Sequence, residues 1–427
     1  MWPDSNAFVF LADAAAAKEV TTYRSRFPKP IEFYQSLAFF GQNILVTEGE
    51  QWKKYRKISA PAFTERNNQL VWNETISVVN ELFSDVWGDK DVITVNRCLD
   101  LTLPITLFVI SSAGFGQKIS WSDDGAIPKG HSMSFKETMD IMSKDFMIPL
   151  ALPKWALGVT KRTRNAGKAL VELKKYISEM IHERIHSDQA EKADLFSMLL
   201  KENSQHLDTA ALNDDELFGN IFVFLVAGYE TTSHALAFTL GLLALYPDEQ
   251  EKLFQHIKSV LPDGRVPTYA DFNSLTYVLA LYPPAGAIPK VAGEDTSINI
   301  TNANGQVKRI PLPKGTYVNI HVAAIHKNPR YWPEPEAFKP ARFLEPDWPR
   351  DAFFAFSAGS HACIGRRFAE VEVIAALTLF VSKYKITVKD EPQFANETFE
   401  ERKERVMASD CGITLTPLGM PLTFTRR

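Results

Sequence analysis

Residues 213–246, NDDELFGNIFVFLVAGYETTSHALAFTLGLLALY, are apolar around most of the circumference of the helix their spacing predicts. Such a helix has to be buried, so the rest of the chain must wrap around it. Its bounds are legible. Asn213 with Glu216 makes a capping-box-like start, and Pro247 enforces the stop. The stretch holds 34 residues, about 50 Å of helix. Its middle breaks the apolar rule with Ala227-Gly228-Tyr229-Glu230-Thr231-Thr232. A glycine, an acid and a threonine each destabilise a buried helix, so they need a reason. The bland account is a local kink, relieved by threonine bonding back to the preceding turn. A functional account depends on what lies elsewhere in the chain.

The second constraint is Phe356 to Glu370, FSAGSHACIGRRFAE. The chain has three cysteines, Cys98, Cys363 and Cys411, and only Cys363 sits in a setting that suits a reactive thiol. The run after it, IGRRFAEVEVIAALTLFVSKY, is a strong helical pattern, apolar on most faces. A thiolate that binds a metal needs its charge stabilised, and first-turn amides at a helix N-terminus supply that. Gly359 allows a tight turn before the cysteine, and Gly365 lets a flat group approach the backbone. A lone cysteine before a helix is more often an inert buried residue. Cys98 and Cys411 read as structural or incidental, and so few cysteines suit a reducing compartment rather than a disulfide framework.

Trp52 and Arg56 lie i,i+4 in GEQWKKYRK, so on a helix they share a face; the bland account is a surface arginine stacked on tryptophan. Lys53, Lys54 and Lys57 read as a solvated face. The N-terminus begins with a strand-like FVFLA and a helical AAAAKEV. It lacks a basic leader and carries Asp4 and Asp13, so it does not read as a signal peptide. No apolar run of 18 residues stands out, so no transmembrane helix is expected. A net charge of −4 points neither to nucleic acid nor to an acidic membrane surface. Basic Lys161, Arg162 and Arg164 open a long amphipathic helix, and GITLTPLGMPLTFTRR alternates like a hairpin. There are no repeats and no nucleotide-binding glycine loop.

Phe-x-x-Gly-x-x-x-Cys-x-Gly before a long apolar helix resembles the haem-binding signature of the cytochrome P-450 family of haem-thiolate monooxygenases. With Trp52-x-x-x-Arg56 and the 227–232 run, three motifs stand in that family's order, and the likeness extends from near residue 8 to the C-terminus. The resemblance implies one domain over 1–427, mainly α with small β-sheets, holding haem b between the 213–246 helix and the cysteine-loop helix. Cys363 would be the axial iron ligand, whose electron push favours O–O cleavage. Phe356 would pack on the sulfur side, and Gly359 and Gly365 would admit the porphyrin. Trp52 and Arg56 would bind a propionate, as would His361, which stands where the family commonly has arginine. Ala227 and Gly228 would leave room for dioxygen and substrate, Thr231 would hydrogen-bond dioxygen, and Glu230 with water would relay protons. Pro284 to Ile288 and the Gly412 to Thr414 tip would line the substrate pocket. Residues 151–185 would roof that pocket and face the membrane.

The implied activity inserts one oxygen atom from dioxygen into an apolar substrate, with electrons from a separate NADPH-dependent reductase. Lys53, Lys54 and Lys57 would then be candidates for docking that donor. The family's full-length eukaryotic type sits on the cytosolic face of the endoplasmic reticulum membrane, and its anchor and first sheet would precede the present start. The chain therefore reads as N-terminally truncated. It departs from the pattern again at Ala280–Leu281, where LTYVLA passes straight to LYPP. A helix carrying Glu-x-x-Arg is expected there, so about seven residues, roughly 10 Å of helix, are missing. Arg342 would lose its partners. The competing expectation is therefore a catalytically impaired haem- or ligand-binding remnant. A haem-thiolate isomerase or dehydratase is disfavoured, because such enzymes have less use for Thr231.

Overall fold

The structure is a computed structural model. It describes residues 7–427 other than 39, 123–126, 146–147, 150–151, 187–192, 205–210, 276–283, 303–304 and 412–413. The Ala280–Leu281 junction, and Gly412 of the expected pocket tip, lie outside the described residues.

The helices run α1 (Ala14–Thr22), α2 (Gly49–Ser59), α3 (Glu65–Glu81), α4 (Leu99–Val109), α5 (Phe135–Asp145), α6 (Lys161–His186) and α7 (Leu195–Ser204). They continue as α8 (Asp214–Leu245), α9 (Pro247–Val260), α10 (Val322–His326), α11 (Arg366–Lys383) and α12 (Phe399–Val406). The strands are short: β1 (Phe8–Leu11), β2 (Val92–Val95), β3 (Ala287–Val291), β4 (Thr296–Thr301), β5 (Val307–Leu312), β6 (Tyr317–His321), β7 (Tyr384–Val388), β8 (Ser409–Cys411), β9 (Leu415–Pro417) and β10 (Leu422–Arg426). The chain is thus mainly α with small sheets, as expected.

The chain divides into two compact units. The first takes residues up to Pro30, Lys90–Leu103 and Thr231–Arg427, and holds every described strand. One sheet has the order β1-β6-β3, with β6 parallel to β1 and antiparallel to β3. Another is antiparallel with β10 between β2 and β7. The C-terminal stretch is therefore not one hairpin. Leu415–Pro417 turns back onto Ser409–Cys411, while Leu422–Arg426 fills the middle of a different sheet. Its alternation is real: Leu422 and Phe424 are buried, Thr423 half-buried and Thr425 exposed. A cluster from Leu11, Val20, Phe27, Ile320, Trp332 and Phe354 packs α1 against the first sheet.

The second unit, Ile31–Asp89 with Pro104–Glu230, is helical throughout its described elements. α8 contributes its first half to this unit and its second half to the other. The capping box forms as read: Asn213 N donates to Glu216 Oε2 (3.0 Å), and Glu216 N to Asn213 Oδ1 (2.9 Å). Against the expectation from the sequence, α8 is long and apolar enough to cross a membrane. With 72% of its most apolar window buried in the protein, it is a core helix.

α11 is buried nearly end to end, and it buries an acid with it. Glu372 is 1% exposed and neither carboxylate oxygen has a hydrogen bond among the described residues. Burial pushes its pKa well above the usual carboxylate range.

The Asn213 box gives a direct test of how α8 begins. Asn213→Ala removes the acceptor for Glu216 N, and denaturant unfolding is expected to show a loss of about 1 kcal/mol.

Candidate active site

α2 begins at Gly49, in the left-handed region at φ 64°, with Glu48 Oε1 accepting Gly49 N. It carries Trp52 and Arg56 on one face. Trp52 is 5% exposed and Arg56 half-buried, so the pair is not a surface stack. Lys54 departs from the expected solvated face. Its Nζ lies 2.6 Å from Glu216 Oε2, and Tyr55 Oη donates to Glu216 Oε1 (2.9 Å). Burial pushes the Glu216 pKa up, but Lys54, Asn213 and Tyr55 together hold it below the usual carboxylate range. Lys53 pairs with Glu50 at the surface, and Lys57 is exposed. One lysine of the three is thus spent inside the unit, leaving two outward.

The middle of α8 opens as its composition suggests. Ala227 is exposed and Gly228, Glu230 and Thr231 half-buried, whereas Tyr229 and Thr232 are buried. Ala227, Glu230 and Thr231 stand at i, i+3 and i+4, so the opening is one face of the helix. A Cβ on Gly228 would come within 3.0 Å of the Ile110 side chain. Thr106 Oγ1 donates to the Tyr229 carbonyl (2.9 Å), and Thr102 Oγ1 meets Ser233 Oγ at 2.8 Å. Thr232 Oγ1 is buried with no hydrogen bond among the described residues. Three residues on from Thr231, His234 Nδ1 meets Thr414 Oγ1 at 3.1 Å, which fixes the near end of the expected pocket tip. Burial holds the His234 pKa down at about 4, so the ring is neutral. Pro284 is tied to the same segment, its carbonyl accepting Leu415 N (2.8 Å).

The cysteine loop lies in the first unit with Thr231, whereas Trp52, Arg56, Ala227, Gly228 and Glu230 belong to the second. Gly359 has φ 66°, and a Cβ there would stand 2.2 Å from the Thr21 carbonyl oxygen. Only glycine permits both the left-handed turn and this approach to α1. The loop then closes on itself, Cys363 N donating to the Phe356 carbonyl at 2.9 Å. Gly365 is the N-cap of α11 at φ −90°, a conformation open to any residue. Phe356 is half-buried, with the Arg366 guanidinium 5.3 Å from its ring. Cys363 itself is exposed, two residues before that cap, while Cys98 is buried with its thiol pKa pushed up by burial. The two cysteines thus separate into an accessible thiol and an inert one.

One residue escaped the sequence reading. Lys290 is 1% exposed on β3, and its Nζ lies 2.7 Å from His361 Nδ1. An ammonium only donates, so His361 accepts at Nδ1 and carries its ring proton on Nε2. The signal was available: AIPKV is an apolar strand with a single lysine in it. These donors fit haem. An accessible thiol suits a soft metal, and a lysine paired with a donor imidazole beside it suits an anionic edge.

A mainly helical chain with an accessible cysteine at the head of a buried helix fits a haem-thiolate protein. Comparison with known proteins makes the assignment. The profile of the family described as Cytochrome P450 matches residues 1–408. Cytochrome P450 monooxygenase 124 of Postia placenta is 51% identical over 99% of this chain and 83% of its own length. Cytochrome P450 monooxygenase ORF6 of Penicillium roqueforti is 30% identical over 89% and 74%, and human cytochrome P450 3A5 is 29% identical over 80% and 69%. The chain belongs to the cytochrome P450 family. It is an oxidoreductase of the monooxygenase class that binds haem b, and with it iron. As a family member it works with a redox partner, a substrate and dioxygen.

Two tests follow from this geometry. Gly359→Ala strains a left-handed turn and pushes on Thr21, so unfolding should show a loss of more than about 1 kcal/mol. His234 and His326 both have pKa values held by burial at about 4 against the ordinary 6.5. The unfolded chain therefore takes up protons first. Stability is full above 6.5 and falls as pH drops towards 4, and in His234→Gln thermal melts should show a shallower fall.

Proposed function

We propose that Cys363 is the thiolate ligand of the haem and that the enzyme inserts one oxygen atom from dioxygen into an apolar organic substrate. The observation that carries this reading is the exposed Cys363 thiol on a loop pinned through Phe356 O at the head of α11. When bound, the haem supplies the redox iron at which dioxygen is reduced. The chain's own residues do the rest. Phe356 packs beside the loop, Gly359 lets the loop turn, and Gly365 admits the ring plane. Arg56, with Trp52 from the same face, His361 Nε2–H and Lys290 hold the propionates. Ala227 and Gly228 keep one face of α8 clear, Thr231 Oγ1 holds a proton there, and Glu230 resupplies it through water. Electrons come from an NADPH-dependent reductase, for which exposed Lys53 and Lys57 offer positive charge.

Residues 152–171 support membrane association in this reading. Trp155 is 79% exposed, Val159 70% and Val171 57%, more apolar surface than a wholly hydrated face needs. Attachment to the cytosolic face of the endoplasmic reticulum follows from the same reading.

Arg342 favours a second reading. Among the described residues its guanidinium donates to the carbonyls of Lys339 (3.1 Å), Glu334 (3.3 Å) and Ala337 (3.1 Å) rather than to a carboxylate. A site braced this way would hold haem weakly, leaving an impaired haem-binding protein.

One spectrum separates the readings. Purified protein expressed with a haem precursor, reduced and treated with carbon monoxide, is expected to give a red-shifted thiolate-type Soret band. Cys363→Ala should abolish that band; its persistence would sink the assignment. Loss of haem on desalting the parent protein would favour the impaired reading. Thr231→Ala should keep the spectrum but divert electrons to peroxide, measured as reductant consumed per product formed.

A further inference from the structure

We propose that a cavity of the first unit, none of whose lining residues is proposed to touch the haem, is a binding site for a small flat carboxylate. Its room is about 160 Å³, the size that takes one benzene ring in an engineered core. Trp332, Phe338, Phe343 and Phe353 give it aromatic walls, and Leu242 and Leu415 complete the apolar lining. An aromatic ring is the body such walls accept.

The polar groups in that lining select the other end of the ligand. Trp332 is 3% exposed, and its Nε1–H has no acceptor among the described residues. His326 Nε2 accepts Phe354 N at 2.9 Å, which puts the ring proton on Nδ1 as a further donor. Arg342 uses Nε and Nη2 on three carbonyl oxygens and leaves Nη1 without a hydrogen bond among the described residues. Burial lowers its pKa, opposed by the charge of Glu334 alone. Glu334 is itself paired with Lys339, and Glu336 with Lys327 (3.1 Å), and among the described residues neither makes an ion pair with the guanidinium. No carboxylate lines the cavity among the described residues. The lining thus holds the half-buried guanidinium, two exposed lysines already paired with Glu336 and Glu334, and no carboxylate among the described residues. A ligand that only accepts answers these donors. A planar carboxylate also matches the fork of a guanidinium. A neutral ring of the same size would fill the space and leave the donors unsatisfied.

Sodium benzoate is the probe, with benzyl alcohol as its neutral counterpart and sodium chloride at matched ionic strength as the blank. Calorimetric titration and thermal melts of the full chain are expected to show saturable benzoate binding and a saturable rise in melting temperature. Benzyl alcohol should bind about tenfold more weakly, the value of a charge-assisted hydrogen bond. Arg342→Gln should bring benzoate down to the level of benzyl alcohol. The proposal is overturned if benzoate gives no saturable response, or if the two probes bind equally to the parent protein. It is overturned too if Arg342→Gln binds benzoate undiminished. The comparison of probes on the parent protein decides even if that variant does not fold. In haem-loaded protein the Soret band should stay unmoved on benzoate binding; a shift that saturates with the same affinity would place the ligand at the iron and overturn the assignment.

Discussion

One carboxylate fixes how the second unit is put together. Glu216 receives Lys54, Tyr55 and the Asn213 amide, so it caps α8 and tethers α2 at the same time. Losing any partner would leave part of a desolvated charge exposed to low dielectric, which is costlier than the bond itself is worth. The next turn extends the junction. Asn220 donates to the Glu216 carbonyl and accepts Ile44 N (3.0 Å), and a Cβ on Gly219 would stand 2.6 Å from the Gly41 carbonyl oxygen. The face of α2 that carries Trp52 and Arg56 therefore takes its direction from the start of α8.

Much of this was legible because it follows from local rules. The bounds of α8 come from a capping pair and a proline, and the structure returns them within a residue. Gly359 was readable as a turn glycine, since no other residue adopts that backbone next to Thr21. What was not legible is long-range. Lys54 looks solvated in GEQWKKYRK because its partner is 162 positions away. Lys290 looks incidental until β3 brings it to His361. The C-terminal stretch alternates correctly yet sends its halves to different sheets, because alternation fixes which side chains are buried and not which strand is the neighbour. The apolar count along α8 failed for a related reason: a core helix and a membrane helix have the same composition, and only what surrounds them differs.

The first unit shows a local bias that the net charge hides. Around the cysteine loop stand a buried lysine and the imidazole it meets, and the aromatic cavity is lined by a guanidinium, an indole N–H, an imidazole N–H and two surface lysines. Donors gathered in apolar surroundings are expensive unless something electron-rich meets them. The aromatic cavity is therefore better understood as half of an interaction than as finished packing.

Glu372 carries a different consequence. An acid sealed inside α11, with no hydrogen bond among the described residues, has its pKa raised well above the ordinary carboxylate range, so between the two values the folded protein holds a proton that the unfolded chain releases. Folding is then a protonation reaction as well as a packing one. The heat of unfolding contains the ionisation heat of whichever buffer accepts that proton, so two buffers at the same pH would yield different calorimetric enthalpies for one and the same conformational change.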